Sequence, residues 1–117
     1  MKIVINNNRK IFAIQEEFSR MFPSLKIDFY AKPSKPGGTP SDKLVGHSSK
    51  TLENCRAISR EGTIEIQPQM IISNLKQNLR DIFGLSVEIF QQSGKGSYEY
   101  PVSDKRTLEE INRIQLA

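Results

Sequence analysis

Few of the residue types that carry out covalent chemistry are present. The one histidine, His47, stands eight residues before the one cysteine, Cys55. A thiol beside an imidazole is a nucleophile with its base when a fold brings the two together. Spacing alone does not do so, and Cys55 before Arg56-Ala57-Ile58 reads far better as a small apolar residue at the margin of a core. The same pair falls short of a zinc site, which takes about four N or S ligands. Gly94-Lys95-Gly96-Ser97 has the glycines and lysine of a phosphate cradle, but not the wider glycine spacing or the helix start of a P-loop. Between two strands those glycines supply the positive φ of a hairpin turn. Glu109 and Glu110 are adjacent, and adjacent helical residues point about 100° apart, which is poor geometry for an acid and base acting together. The expectation is a domain with no catalytic, metal or cofactor site.

Binding chemistry is better represented. Residues 1–60 hold 11 Lys or Arg against 5 Asp or Glu, while residues 61–117 hold 6 against 8, so the net charge of +4 belongs to the first half. Lys32, Lys35, Lys43 and Lys50 are the candidates for tracking a polyanion such as nucleic acid. Phe90, Tyr98 and Tyr100 lie in the acidic half and are the candidates for an apolar sheet surface that meets a protein partner. Phe90 is out of phase with Leu85, Val87 and Ile89, which sets it on the other face of a regular strand. The separation of lysines from aromatics favours protein binding over nucleic-acid stacking. A sheet edge or face needs only backbone groups and a few side chains to bind a protein.

The elements that must position these residues follow from periodicity. Gly62 to Ile66 alternates as a half-buried strand. Pro68 fits a first helical position, and Ile71, Ile72, Leu75, Leu79, Ile82 and Phe83 follow at helical spacing up to the natural stop Gly84. Leu85, Val87 and Ile89 predict a second strand, Ser93-Gly94-Lys95-Gly96 a turn, and Ser97 to Tyr100 a short return. Thr107-Leu108-Glu109-Glu110 is a capping box that opens a last helix. The first half repeats the order. Ile3 and Ile5 form a strand, Asn8 can cap a helix carrying Ile11, Ile14, Phe18, Met21 and Phe22, and Leu25, Ile27 and Phe29 form the next strand before Thr51-Leu52-Glu53. Phe22 matches Phe83, 25–29 matches 85–89, and Thr51-Leu52-Glu53 matches Thr107-Leu108-Glu109. The repeat units are 1–60 and 61–117. Between the matched pieces, 32–43 is rich in proline, glycine and lysine and predicts a flexible exposed loop.

The stretch Phe83-Gly84-Leu85-Ser86-Val87-Glu88-Ile89-Phe90, followed by Ser93-Gly94, Tyr98-Glu99, Asp104 and Thr107-Leu108-Glu109-Glu110-Ile111-Asn112, resembles part of a known family. That family consists of small, functionally uncharacterised bacterial proteins with an FGL-x-V-x-V-F strand, an S-G turn and a T-L-E-E-x-N ending. The resemblance covers only the C-terminal part of the chain. It implies a small mixed α/β domain and no particular activity.

The fold expected from all this is one two-layer α/β domain of the α+β kind. It would have a mixed sheet of four to six strands, helices mainly on one face, and an internal βαβ duplication. The function expected is non-enzymatic binding of another protein, with nucleic acid as the alternative. One cysteine and no long apolar run point to the cytoplasm rather than a membrane.

Overall fold

The computed structural model describes residues 1–32, 43–46, 49–56, 58–92 and 99–113. Lys35, His47, the Gly94–Ser97 turn, Tyr98 and residues 33–42 of the expected flexible loop lie outside the described residues.

Within them the chain is an α+β domain of three helices and two small antiparallel sheets. The first sheet pairs β1 (Lys2–Ile5) with β3 (Gly62–Glu65). The second has the order β2 (Leu25–Phe29), β4 (Val87–Gln92), β5 (Glu99–Pro101). The helices are α1 (Ile11–Met21), α2 (Ile72–Phe83) and α3 (Leu108–Arg113), and a 3₁₀ helix spans Leu52–Cys55. Two antiparallel sheets replace the single mixed sheet that the βαβ pattern predicts. In each half the two strands flanking the helix do not join each other; they pair with their counterparts in the other half.

Several backbone contacts of one half recur in the other. Ile3 faces Ile64 in one ladder and Asp28 faces Glu88 in the other, each residue opposite its own equivalent. Ile11 N–H donates to Lys50 O (2.8 Å) as Ile72 N–H does to Arg106 O (2.9 Å). Leu52 N–H donates to Arg9 O and Leu108 N–H to Met70 O, both at 3.0 Å. The bridges Lys10–Thr51 and Ile71–Thr107 correspond in the same way. So do the Tyr30–Leu44 bridge and the Phe90–Pro101 pair.

One core serves both halves. Ile11, Ile14 and Phe18 of α1 and Ile72, Leu75 and Leu79 of α2 are buried with Leu25, Ile27 and Phe29 of β2 and Val87 and Ile89 of β4. Phe22 and Phe83 occupy matching buried places at the ends of their helices. Gly84 closes α2 in the left-handed conformation (φ +68°), as a Cβ-free residue does at little cost. The Thr107 box forms as spaced: Thr107 N–H donates to Glu110 Oε1 (3.2 Å) and Glu110 N–H to Thr107 Oγ1 (3.1 Å). So short a helix as α3 persists by packing, with Leu108 and Ile111 buried and Gln91 Nε2 donating to Ile111 O (3.0 Å).

Two helix starts differ from the pattern. Lys10, bridged to Thr51, and not Asn8 precedes α1, and the Asn8 N–H donates to Asn6 Oδ1 (3.0 Å) in a local turn. Pro68 sits in a turn closed by Met70 N–H to Gln67 O (3.0 Å), and α2 begins only at Ile72, after the backbone of Ile71 has bridged to Thr107. Both late starts have the same cause: the preceding residue is held extended by that bridge.

Candidate functional site

Phe90 is half-buried on β4, flanked by Lys26 and Pro101 across the ladders. Tyr100 lies on the terminal strand β5 opposite Gln91, one step out of phase with the Phe90–Pro101 pair. The predicted aromatic candidates therefore do not share one register position. Pro101 on a terminal strand loses no ladder bond on its free side.

The lysines are brought together. Lys32 N–H donates to Asn54 O (3.2 Å), Ala31 N–H donates to Lys43 O (2.8 Å), and Lys50 leads directly into the 3₁₀ helix. All three side chains are exposed. Lys10, which the spacing did not single out, joins them through its bridge to Thr51 and is exposed as well. Along β2, Lys26 beside Phe90 is six residues from Lys32, about 20 Å of extended chain, so Phe90 and the lysines occupy opposite ends of the strand.

Cys55 is buried on the 3₁₀ helix. Burial, and next the negative charge of Asp28, push its thiol up to about 11, with Lys50 opposing. A thiol at that value is protonated at neutral pH and is a poor nucleophile. Asp28 is itself buried, accepting Phe29 N–H (2.8 Å) and Gly46 N–H (3.0 Å) on Oδ1. Among the described residues no group of three or more His, Cys, Asp or Glu side chains is placed to hold a metal ion, and no helix is long and apolar enough to cross a membrane.

Sequence reasoning missed a charged cluster at the second-half counterpart of the Asp28 site. Lys76 Nζ donates to Glu88 Oε1 (3.0 Å) and Asp104 Oδ1 (3.1 Å), and Tyr30 Oη donates to Glu88 Oε2 (3.2 Å). The first half puts Gln15 where Lys76 stands, and Gln15 Nε2 donates instead to Ile27 O (3.0 Å). The signal was the repeat itself: wherever two copies make the same backbone contacts, the side chains that differ are not dictated by the fold. Burial lowers the Lys76 pKa, but hydrogen bonds to Glu88 and Asp104 outweigh it and hold the ammonium above its ordinary value. Burial, then the Glu88 charge, raises Tyr30. At neutral pH Lys76 is charged and Tyr30 neutral, so the cluster clamps α2 to β4 and to the segment leading into α3.

That clamp sets a pH dependence. Both groups hold their protons more tightly folded than unfolded, so their contribution is fully present below the unfolded values of about 10 and is lost as pH rises through the raised folded values. From pH 9 to 11 the unfolding midpoint of the wild type is expected to fall more than that of a Tyr30→Phe, Lys76→Met double variant. Parallel slopes would show that the two groups carry no linkage.

Arg56 is the other buried polar centre. Its Nε donates to Asn7 Oδ1 (2.8 Å), and its Nη1 donates to Arg60 O (2.7 Å) and Phe83 O (2.9 Å), so one guanidinium joins the turn after β1, its own loop and the C-terminus of α2. A cation at a helix C-terminus is favourably placed in the field of the last carbonyls.

No family model, curated protein or solved structure matches the chain. The surfaces are therefore read from their own geometry.

One of them is the β1–β3 ladder. The Met1 amino group donates to Ile66 O and Ile66 N–H donates to Met1 O, both at 2.8 Å, which makes this a hydrogen-bonded pair. Antiparallel pairs alternate, so Lys2–Glu65 and Val4–Thr63 are the non-bonded pairs and turn their N–H and C=O groups away from each other. Both strands are terminal in their sheet. Lys2, Val4, Thr63 and Glu65 are all exposed, with Val4 49% accessible.

Proposed function

We propose that this domain is a non-enzymatic protein-binding module whose partner adds a strand to an edge of the β1–β3 ladder. The observation that supports it is the outward set of backbone groups on Lys2 and Val4 and on Thr63 and Glu65, on two strands that have no second strand partner among the described residues. An extended peptide gains main-chain hydrogen bonds there, and the exposed Val4 gives it an apolar contact on the solvent face. Ile3, Ile5 and Ile64 hold the other face to the core, so the edge is presented on a rigid base. In this reading the domain works in the cytoplasm, in keeping with its one buried thiol.

Hydrogen exchange on the free protein tests the edge without a partner. The amides of Lys2, Val4, Thr63 and Glu65 are expected to exchange orders of magnitude faster than those of Ile3, Ile5 and Ile64. Protection of Lys2 and Val4 in the free protein would mean that the edge is covered, and would sink the reading. With a binder selected from a library of extended peptides, Val4→Pro removes only an outward N–H and is expected to weaken binding at least tenfold, whereas Val4→Thr retains it. Binders indifferent to both Val4→Pro and Thr63→Pro would place recognition elsewhere.

A further inference from the structure

We propose that the end of the domain around the 3₁₀ helix binds the phosphate backbone of nucleic acid, without base specificity, through Lys10, Lys32, Lys43 and Lys50. This surface is distinct from the β1–β3 edge and does not depend on it.

Four separate segments deliver these lysines. Residues 9–10, 31–32, 43–46 and 49–54 meet through Ile11 N–H to Lys50 O (2.8 Å), the Lys10–Thr51 bridge, Ala31 N–H to Lys43 O (2.8 Å) and Lys32 N–H to Asn54 O (3.2 Å). All four lysines are exposed, and Glu53 is the one carboxylate in the described residues of these segments. The fold does not require lysine at positions 10 and 43, because the second half makes the corresponding contacts without it. Ile71 stands in the place of Lys10, and Tyr100 in the place of Lys43. Of the four, only Lys50 keeps a basic counterpart, Arg106. Positive charge is thus concentrated on one copy of the shared arrangement.

The chemistry of the patch favours a phosphate backbone over other polyanions. Protein interfaces have an apolar centre, and surface helices that enter membranes bring an apolar face. Among the described residues the exposed large apolar side chains, Val4, Ile58, Ile71 and Ile82, all fall outside these four segments. A nucleic-acid backbone needs only cations.

The test is fluorescence anisotropy with random-sequence 20-mers of single- and double-stranded DNA and of RNA, from 50 to 200 mM salt. Four phosphate contacts predict a roughly 50- to 150-fold loss of affinity over that range, and a dissociation constant no tighter than roughly micromolar at physiological salt. The variant with Lys10, Lys32, Lys43 and Lys50 all changed to Gln is expected to lose at least tenfold in affinity at 50 mM salt, together with most of the salt slope. A variant of equal charge, with Arg20, Arg60, Arg80 and Lys105 changed to Gln, is expected to keep the slope. Since all these side chains are exposed, both should unfold near the wild-type temperature; if the first does not, Lys32→Gln with Lys43→Gln is read instead, with about half the loss of slope expected. Equal losses in the two charge variants, no binding at 50 mM, or tighter binding to polyglutamate or phosphatidylserine vesicles than to the oligonucleotides would each overturn the proposal.

Discussion

Arg56→Ala is expected to lower the thermal unfolding midpoint by roughly 12 °C. Arg56 is 3% exposed, and its guanidinium serves three acceptors, Asn7 Oδ1, Arg60 O and Phe83 O. Its removal takes the donor from all three, the buried Phe83 O among them, at about 1 kcal/mol for each bond lost, so that the total is about 3 kcal/mol. A chain of this size loses about 4 °C per kcal/mol. Arg56→Lys keeps the charge but cannot reach in three directions at once, and should recover less than half of the loss. Thermal and denaturant unfolding of the two variants check this. A loss below about 1 kcal/mol in Arg56→Ala would show that water replaces the guanidinium at no great cost.

Larger losses are expected at the two phenylalanines that end the helices. Phe22 and Phe83 are 2% and 3% exposed, and truncating either to alanine should cost about 3–5 kcal/mol in transfer and cavity terms. Against a typical stability of about 5–15 kcal/mol, either variant is brought close to unfolding. The costs should not be equal. The Phe22 ring stacks at a tilt on Phe18, with centroids 5.3 Å apart, whereas the residue corresponding to Phe18 beside Phe83 is Leu79. Phe22→Ala therefore loses an aromatic contact worth about 1 kcal/mol that Phe83→Ala does not. Urea unfolding with a common slope resolves the difference, and a costlier Phe83→Ala would mean that the matched places are not packed alike.

Much of the fold was legible in the sequence because periodicity is local. The apolar faces of α1 and α2, the alternation in β2 and β4, the Gly84 stop and the Thr107 box are all decided within a few residues of themselves. The pairing of strands was not legible. Nothing in Leu25-Lys26-Ile27-Asp28-Phe29 says that its neighbour is 87–91 and not the strand on the far side of its own helix, since the choice is made by how two helices share one core. The late helix starts have the same origin: Asn8 and Pro68 are good local signals, overridden by the extended bridges of Lys10 and Ile71 to distant threonines. Among the binding candidates, the gathering of Lys32, Lys43 and Lys50 depends on backbone contacts between segments that are far apart in sequence. The cluster of Tyr30, Lys76, Glu88 and Asp104 was hidden because each member lies on a different element and is individually unremarkable.

The exchange of strand partners between halves also governs how the chain reaches this state. Apart from the β4–β5 hairpin, every ladder among the described residues joins residues about sixty apart, such as Ile3 with Ile64 and Ile27 with Ile89. Neither half can complete a two-stranded ladder from its own β1 and β2 or β3 and β4 alone, so the helices flicker early but the sheets must wait for closure of a long loop. Folding should accordingly be slow for a chain of this length, in milliseconds to seconds. The transition state should be one in which both halves are already docked, rather than one finished half templating the other.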